Sequence, residues 1–150
     1  MAFDLTMLKK LREETEASIA DCRMALEETD GDYQKALEWI KKRAVAKAEK
    51  KADREAGQGI VEAYIHGNGK IGVLVQLLCE TDFVARTDDF KNLAHDIALQ
   101  IAAMNPENVE ELLKQEFIKD TSVTIEQKIK QVIGKLGENI ILKGFARLDI

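Results

Sequence analysis

The sequence predicts an α+β protein: a three-helix unit, a basic helical connector, and a larger unit of strands and helices. Three observations carry this. Apolar residues recur at spacings of three and four through the first forty positions, the pattern of short amphipathic helices. Asn68-Gly69 stands between two strand-like runs, a hairpin signal because both residue types tolerate positive φ. From Thr87 onward, two 3.6-period stretches precede a closing strand-like run. The expected units are residues 1–42, 43–57 and 58–150.

The first helix rests on Leu5, Leu8 and Leu11, with polar residues between them. Ser18 offers an N-cap oxygen to a second helix, and Asp21 falls three positions on, close in chemistry to a capping box. Ile19, Cys22 and Leu26 continue as one apolar stripe, which Asp30-Gly31 stops. Asp32 restarts the chain, and Tyr33, Ala36, Leu37 and Ile40 form the third stripe. Helices this short share only a small core, which makes the unit a compact module.

Composition shifts at Lys41. Residues 41–54 carry seven bases and two acids, a local charge of +5 in a chain of net charge −5. The stretch is alanine-rich and lacks a wide apolar face, so it reads as an exposed helical connector.

The larger unit opens with a strand over Ile60–Ile65, the turn His66–Lys70, and a second strand over Ile71–Glu80. That second run has Ile71, Val73, Val75 and Leu77 on one face and Leu74 and Leu78 on the other, the pattern of a central strand covered on both sides. Thr87 caps a helix in which Phe90, Leu93, Ala94, Ile97, Ile101 and Met104 keep helical period, and Asn105-Pro106 ends it. A weaker helical stretch spans 107–114. The helix 124–136 turns Ile125, Ile129, Val132, Ile133 and Leu136 inward and stops at Gly137. The last strand, 139–149, places Ile140, Leu142, Ala146 and Leu148 on one face.

The chemistry that is missing narrows the function. A net negative chain is poorly suited to coating nucleic acid. Cys22 and Cys79 are too few for a disulfide scaffold, fit no zinc spacing, and lie on apolar stretches as small hydrophobes do. His66 falls in a turn and His95 on a polar helix face. Phosphate-loop, serine-hydrolase, zinc-protease and dinucleotide motifs are absent. No catalytic residue, metal site or cofactor is expected. Met1-Ala2-Phe3-Asp4 has no basic region leading into an apolar stretch, and no run approaches the ~20 residues of a membrane span. The sequence is read as that of a soluble, cytoplasmic chain.

One segment stands apart. Cys79-Glu80-Thr81-Asp82-Phe83-Val84-Ala85-Arg86-Thr87 joins the central strand to the main helix, yet it carries Phe83 and Val84 where such loops are small and polar. Phe83 either tucks under the helix as core or projects as an anchor for a partner's pocket. Periodicity does not choose between the two.

This nonapeptide strongly resembles the signature of the elongation factor Ts family, the guanine-nucleotide exchange factors for elongation factor Tu. Five further stretches agree in family order: 11–15, 21–27, Asp30-Gly31-Asp32 leading to Ala36, 64–69, and 135–140. The resemblance implies a ubiquitin-associated-like three-helix module, a linker helix, and a core built on a three-stranded antiparallel sheet. It implies that the first module docks on the GTPase, with Arg12, Asp21, Cys22, Arg23 and Met24 as docking residues. Thr81, Asp82, Phe83 and Val84 would be the exchange segment beside the partner's Mg²⁺ site. In that role Phe83 wedges between partner helices and Asp82 fixes polar contacts next to it. No direct nucleic-acid or membrane contact is implied.

The sequence departs from the family pattern in two places. The turn after Thr15 reads Glu16-Ala17-Ser18 where glycines are usual. The stretch between Met104 and Phe117 is short, and there is material for one sheet unit only. Short family members tend to pair, so a homodimer through the sheet unit is expected. Two other classes remain open at this level: a module binding nucleic acid or an acidic protein through the basic connector, and a thiol enzyme using Cys22 or Cys79.

Overall fold

The computed structural model describes residues 3–150; Met1 and Ala2, part of the N-terminal stretch discussed above, lie outside them. Three helices come first: α1 (Leu5–Thr15), α2 (Ile19–Glu28) and α3 (Tyr33–Lys51). Each is opened by a side-chain cap: Asp4 accepts from the Thr6 amide, Ser18 from Asp21, and Asp32 from Lys35. Left-handed backbone at Glu16 and at Asp30-Gly31 turns the chain between them. Leu11, Cys22, Ala25, Leu26, Ala36 and Ile40 form their core. It is too small to reach the helix ends, and Leu5 and Ile19 are 71% and 54% exposed, so neither belongs to the apolar stripe the spacing assigned it.

The basic stretch differs from the expected exposed connector. α3 continues without a break to Lys51, because Ala44, Ala46 and Ala48 favour helix and no breaker intervenes. Ala48 is buried, and α3 packs along α7 (Ile125–Leu136). A wide apolar face is unnecessary where the opposing helix offers Gly134.

Strands β1 (Gln58–His66), β2 (Ile71–Cys79) and β5 (Ile140–Asp149) form an antiparallel sheet in the order β1-β2-β5. The β1–β2 connection takes its left-handed residues at Gly67 and Gly69 rather than at Asn68-Gly69. β2 is central, as expected, but covered on one side only. Val73, Val75, Leu77 and Cys79 are buried beneath α5 (Asp88–Met104), whereas Leu74 is 50% exposed. All the helices that could cover the sheet lie on one side of it, and Val61, Ile65, Leu74, Ile141 and Leu148 line the bare face.

β5 also departs from strict alternation. Gln76 pairs with Gly144 and Leu77 with Leu142, so Lys143 is the extra residue of a bulge. The bulge swaps faces: Ile140 and Leu142 are buried before it, while after it Phe145 packs on the core and Ala146 and Leu148 face outward. Ala146 and Leu148 therefore do not share a face with Ile140, as strict alternation predicts.

Thr87 caps α5 and left-handed Asn105 ends it, leaving Met104 half exposed at the last turn. Beyond α6 (Val109–Lys114) lies a two-stranded ribbon that periodicity missed, β3 (Glu116–Phe117) with β4 (Asp120–Thr124). Fully buried Gln100 fixes it: its amide donates to the Glu116 carbonyl at 3.0 Å and to the Gln115 side chain at 3.2 Å, and its oxygen accepts from the Ile118 amide at 2.9 Å. Thr124 and Gln127 form a full capping box at the start of α7. No helix among the described residues is long and apolar enough to cross a membrane.

Candidate functional site

The segment after β2 is a tight corner built by hydroxyl caps. Thr81 adopts extended backbone and its Oγ1 accepts from the Val84 amide at 3.3 Å, opening the single-turn helix α4 (Asp82–Ala85). Thr87 closes that turn and opens the next: its Oγ1 donates to the Val84 carbonyl at 2.7 Å and accepts from the Phe90 amide at 3.3 Å. The Cys79 thiol donates to the Thr81 carbonyl at 3.0 Å. A helical turn spreads successive side chains about 100° apart around its axis, so a single turn packed by one side leaves its other side in water. Val84 and Ala85 enter the core at 7% and 5% exposure, and Phe83 projects at 78%.

That choice between core and projection was open in the sequence. Val84 anchors the segment from within, so of the four residues only Thr81, Asp82 and Phe83 are exposed. Asp82 accepts from Arg86 at 2.7 Å, an ion pair exposed enough to add little stability. The result is an aromatic ring in water, flanked by a carboxylate and a guanidinium.

A second support comes from the turn between α7 and β5. Glu138 lies 57 residues downstream of Thr81, yet its carboxylate accepts from the Thr81 amide at 3.0 Å and from Thr81 Oγ1 at 2.8 Å. Asn139 is buried beside it. Its amide donates to Glu80 at 3.0 Å, and its side chain donates to the carbonyls of Arg54 at 2.8 Å and Ala52 at 3.3 Å. Periodicity gave no hint of either role; the one signal available was that both residues lie in the resembling stretch 135–140.

The docking residues separate into two groups. Cys22 is fully buried, and Asp21 is covered by α3, where Arg43 and Lys47 donate to its two oxygens at 2.9 and 2.5 Å. Both side chains are turned into the helical unit and hold it together from within. Arg12, Arg23 and Met24 remain exposed. Burial alone would raise the Asp21 carboxyl; the hydrogen bonds from Lys47 and Arg43 outweigh it and hold the group below the usual carboxylate range.

Neither thiol is primed as a nucleophile. Burial pushes the Cys22 and Cys79 thiols up, and at Cys79 the neighbouring Glu138 carboxylate adds to the effect. Among the described residues no cluster of His, Cys, Asp or Glu could hold a metal ion. His95 stacks edge-on against Tyr64 with ring centroids 5.6 Å apart, away from the corner at Phe83.

Comparison with known proteins points in one direction. Residues 80–150 match the family model described as Elongation factor TS. Along 98% of its length the chain is 42% identical to the protein named Elongation factor Ts of Coprothermobacter proteolyticus, covering 98% of that protein. It is 41% identical over its whole length to Elongation factor Ts of Fervidobacterium nodosum, covering 99%. A longer relative, Elongation factor Ts of Synechococcus sp. (strain JA-3-3Ab), is 42% identical and covered to 68%. The aligned stretches run to 192–195 positions against 150 residues here, so these relatives carry segments that this chain lacks.

A chain of this kind is a translation elongation factor. It belongs to the elongation factor Ts family.

Proposed function

We propose that this protein binds elongation factor Tu in its GDP state and promotes GDP release, acting as a wedge rather than through a reaction of its own. The observation that supports this best is Phe83, 78% exposed on a corner held from both ends, within the segment that carries the family resemblance. A solvated ring on a rigid platform gains by entering an apolar gap in a partner. Full burial would contribute roughly 1.5–3 kcal/mol. If the gap opens only when the partner's nucleotide site is distorted, that energy shifts the partner toward the distorted state. Mg²⁺ and the phosphate cradle supply much of the affinity for GDP, so displacing the ion and disturbing the cradle loosens the nucleotide. Linkage makes the effect reciprocal: incoming GTP, once bound with its own Mg²⁺, weakens the factor's grip.

In this reading residues 1–42 are a ubiquitin-associated-like docking module that meets the partner through Arg12, Arg23 and Met24. Residues 43–57 link it to the 58–150 core, and Thr81 and Asp82 frame the wedge. The bare sheet face with Val61, Leu74 and Leu148 is the surface through which two copies pair. The protein works in the cytoplasm. A nucleic-acid role for the basic stretch is less well supported, because Arg43 and Lys47 are engaged by Asp21 and Arg54 lies 3.6 Å from Glu80.

The test is release of fluorescent GDP from elongation factor Tu with Mg²⁺ present. Acceleration that grows with added protein and weakens as Mg²⁺ is raised is the expected result. Release at the intrinsic rate throughout would overturn the proposal.

A further inference from the structure

The geometry points to Glu138 as a positioning residue for the wedge, an inference that rests on the exchange reading above. The Thr81 hydroxyl is the pivot of the corner. It has one proton and two lone pairs, and here its proton goes to Glu138 Oε2 while a lone pair accepts from the Val84 amide. The second Glu138 oxygen, Oε1, accepts a hydrogen bond from the Thr81 amide. A carboxylate is acceptor-only, so it fixes the hydroxyl in the orientation that leaves the lone pair free to cap α4.

Without Glu138 the hydroxyl can rotate and donate elsewhere, and the Thr81 amide has no protein partner. A four-residue helix has no cooperative length of its own, so its direction depends on its ends. Thr87 holds the far end from α5. Glu138 holds the near end from a different element, the turn that left-handed Gly137 forms after α7. Asn139 secures that turn to Glu80 and to the end of the connector. Phe83 is thereby aimed by residues that need not touch the partner at all.

The experiment measures GDP release from elongation factor Tu and Mg²⁺ over a range of factor concentrations. It compares the parent, Glu138→Ala, Glu138→Gln, Phe83→Ala and the Glu138→Ala/Phe83→Ala double variant. Circular dichroism and thermal melting report on the fold of each. Glu138→Ala should lower the maximal release rate roughly three- to tenfold, less than charge-assisted hydrogen bonds contribute when buried, because both of these are exposed to water. The half-saturating concentration should move less than about twofold, since docking through the helical unit is untouched. Glu138→Gln keeps one acceptor oxygen and should fall between.

The double variant separates aiming from general support. Once the ring is gone there is nothing to aim, so Glu138→Ala should have little further effect on Phe83→Ala. Equal losses in both backgrounds, or a maximal rate unchanged in Glu138→Ala while Phe83→Ala is impaired, would overturn the inference and leave the exchange reading standing. A parent that does not accelerate release would overturn both.

Discussion

Gly134 of α7 faces Ala44 of α3 so closely that a Cβ built on it would lie 3.1 Å from both the Cα and the Cβ of Ala44. This contact joins the helical unit to the core. Lys135, the next residue, adds hydrogen bonds to Asp89 at 2.8 Å and to Glu16 in the turn after α1. The three-helix unit and the corner that carries Phe83 are thus braced against the same helix.

Replacing Gly134 with valine should therefore destabilise the protein. Valine has weaker helix propensity than alanine but still exceeds glycine, so propensity alone predicts a small gain. The branched side chain would meet Ala44 backbone, which has no flexible end to move aside. Overpacking of this kind costs about 1–3 kcal/mol, read as a lower urea midpoint. An unchanged or raised midpoint would show that α3 and α7 part readily.

Asp21 should make stability depend on acid. Its carboxyl is held below the ordinary value in the fold, because bonds from Lys47 and Arg43 overcome the effect of burial. The unfolded chain therefore takes up this proton at higher pH than the folded one. Between the two pKa values the unfolded state binds more protons, so stability falls as pH falls, and the contribution is present in full above the unfolded value. Asp21→Asn should lower stability at neutral pH by roughly 1–2 kcal/mol, less than for a fully buried pair because both cations stay in contact with water. It should also flatten the acid limb of a urea-midpoint profile measured from about pH 6 to pH 2. A parent-like acid limb in the variant would contradict the assignment.

The bare sheet face makes a prediction about self-association. Leu148 is 79% exposed beside Leu74 on that face, so a charge there costs the folded monomer little. Leu148→Glu should convert a dimeric parent to a monomer in sedimentation, with the melting profile of the monomer intact. Parent and variant sedimenting alike would remove the pairing surface from the account.

Much of this fold was legible because local chemistry and burial agreed. Ser18, Asp32, Thr87 and Thr124 cap the helices they precede, and Gly137 ends the last one. What escaped needed partners from elsewhere in the chain. Leu5, Leu8 and Leu11 look equivalent in sequence, yet Leu11 is fully buried and Leu5 is 71% exposed, because only three-helix packing decides where a small core ends. The apolar Leu74 suggested a covered face, but its exposure follows from which side the helices take. The bulge at Lys143 reverses alternation, and the one local signal of it is Gly144, which pairs with Gln76 at the register shift.

The site was half legible for the same reason. Its odd composition drew attention to the segment, and Thr87 was readable as the cap of the helix that follows, while the cap at Thr81 was not. Whether Phe83 or Val84 turned inward depended on how one helical turn fits between two caps, and the spacing was silent on that. The role of Glu138 was beyond the reach of periodicity, since nothing in a pattern of apolar residues relates positions 57 apart.

Phe83→Ala is the most direct test of the central claim. The ring is mostly in water, so its removal should leave circular dichroism and melting unchanged. In the labelled-GDP release assay with elongation factor Tu and Mg²⁺, the parent should accelerate release and the variant should lose about 10- to 100-fold of that acceleration at saturation, the equivalent of burying one aromatic side chain. A folded variant that accelerates release as well as the parent would contradict the wedge.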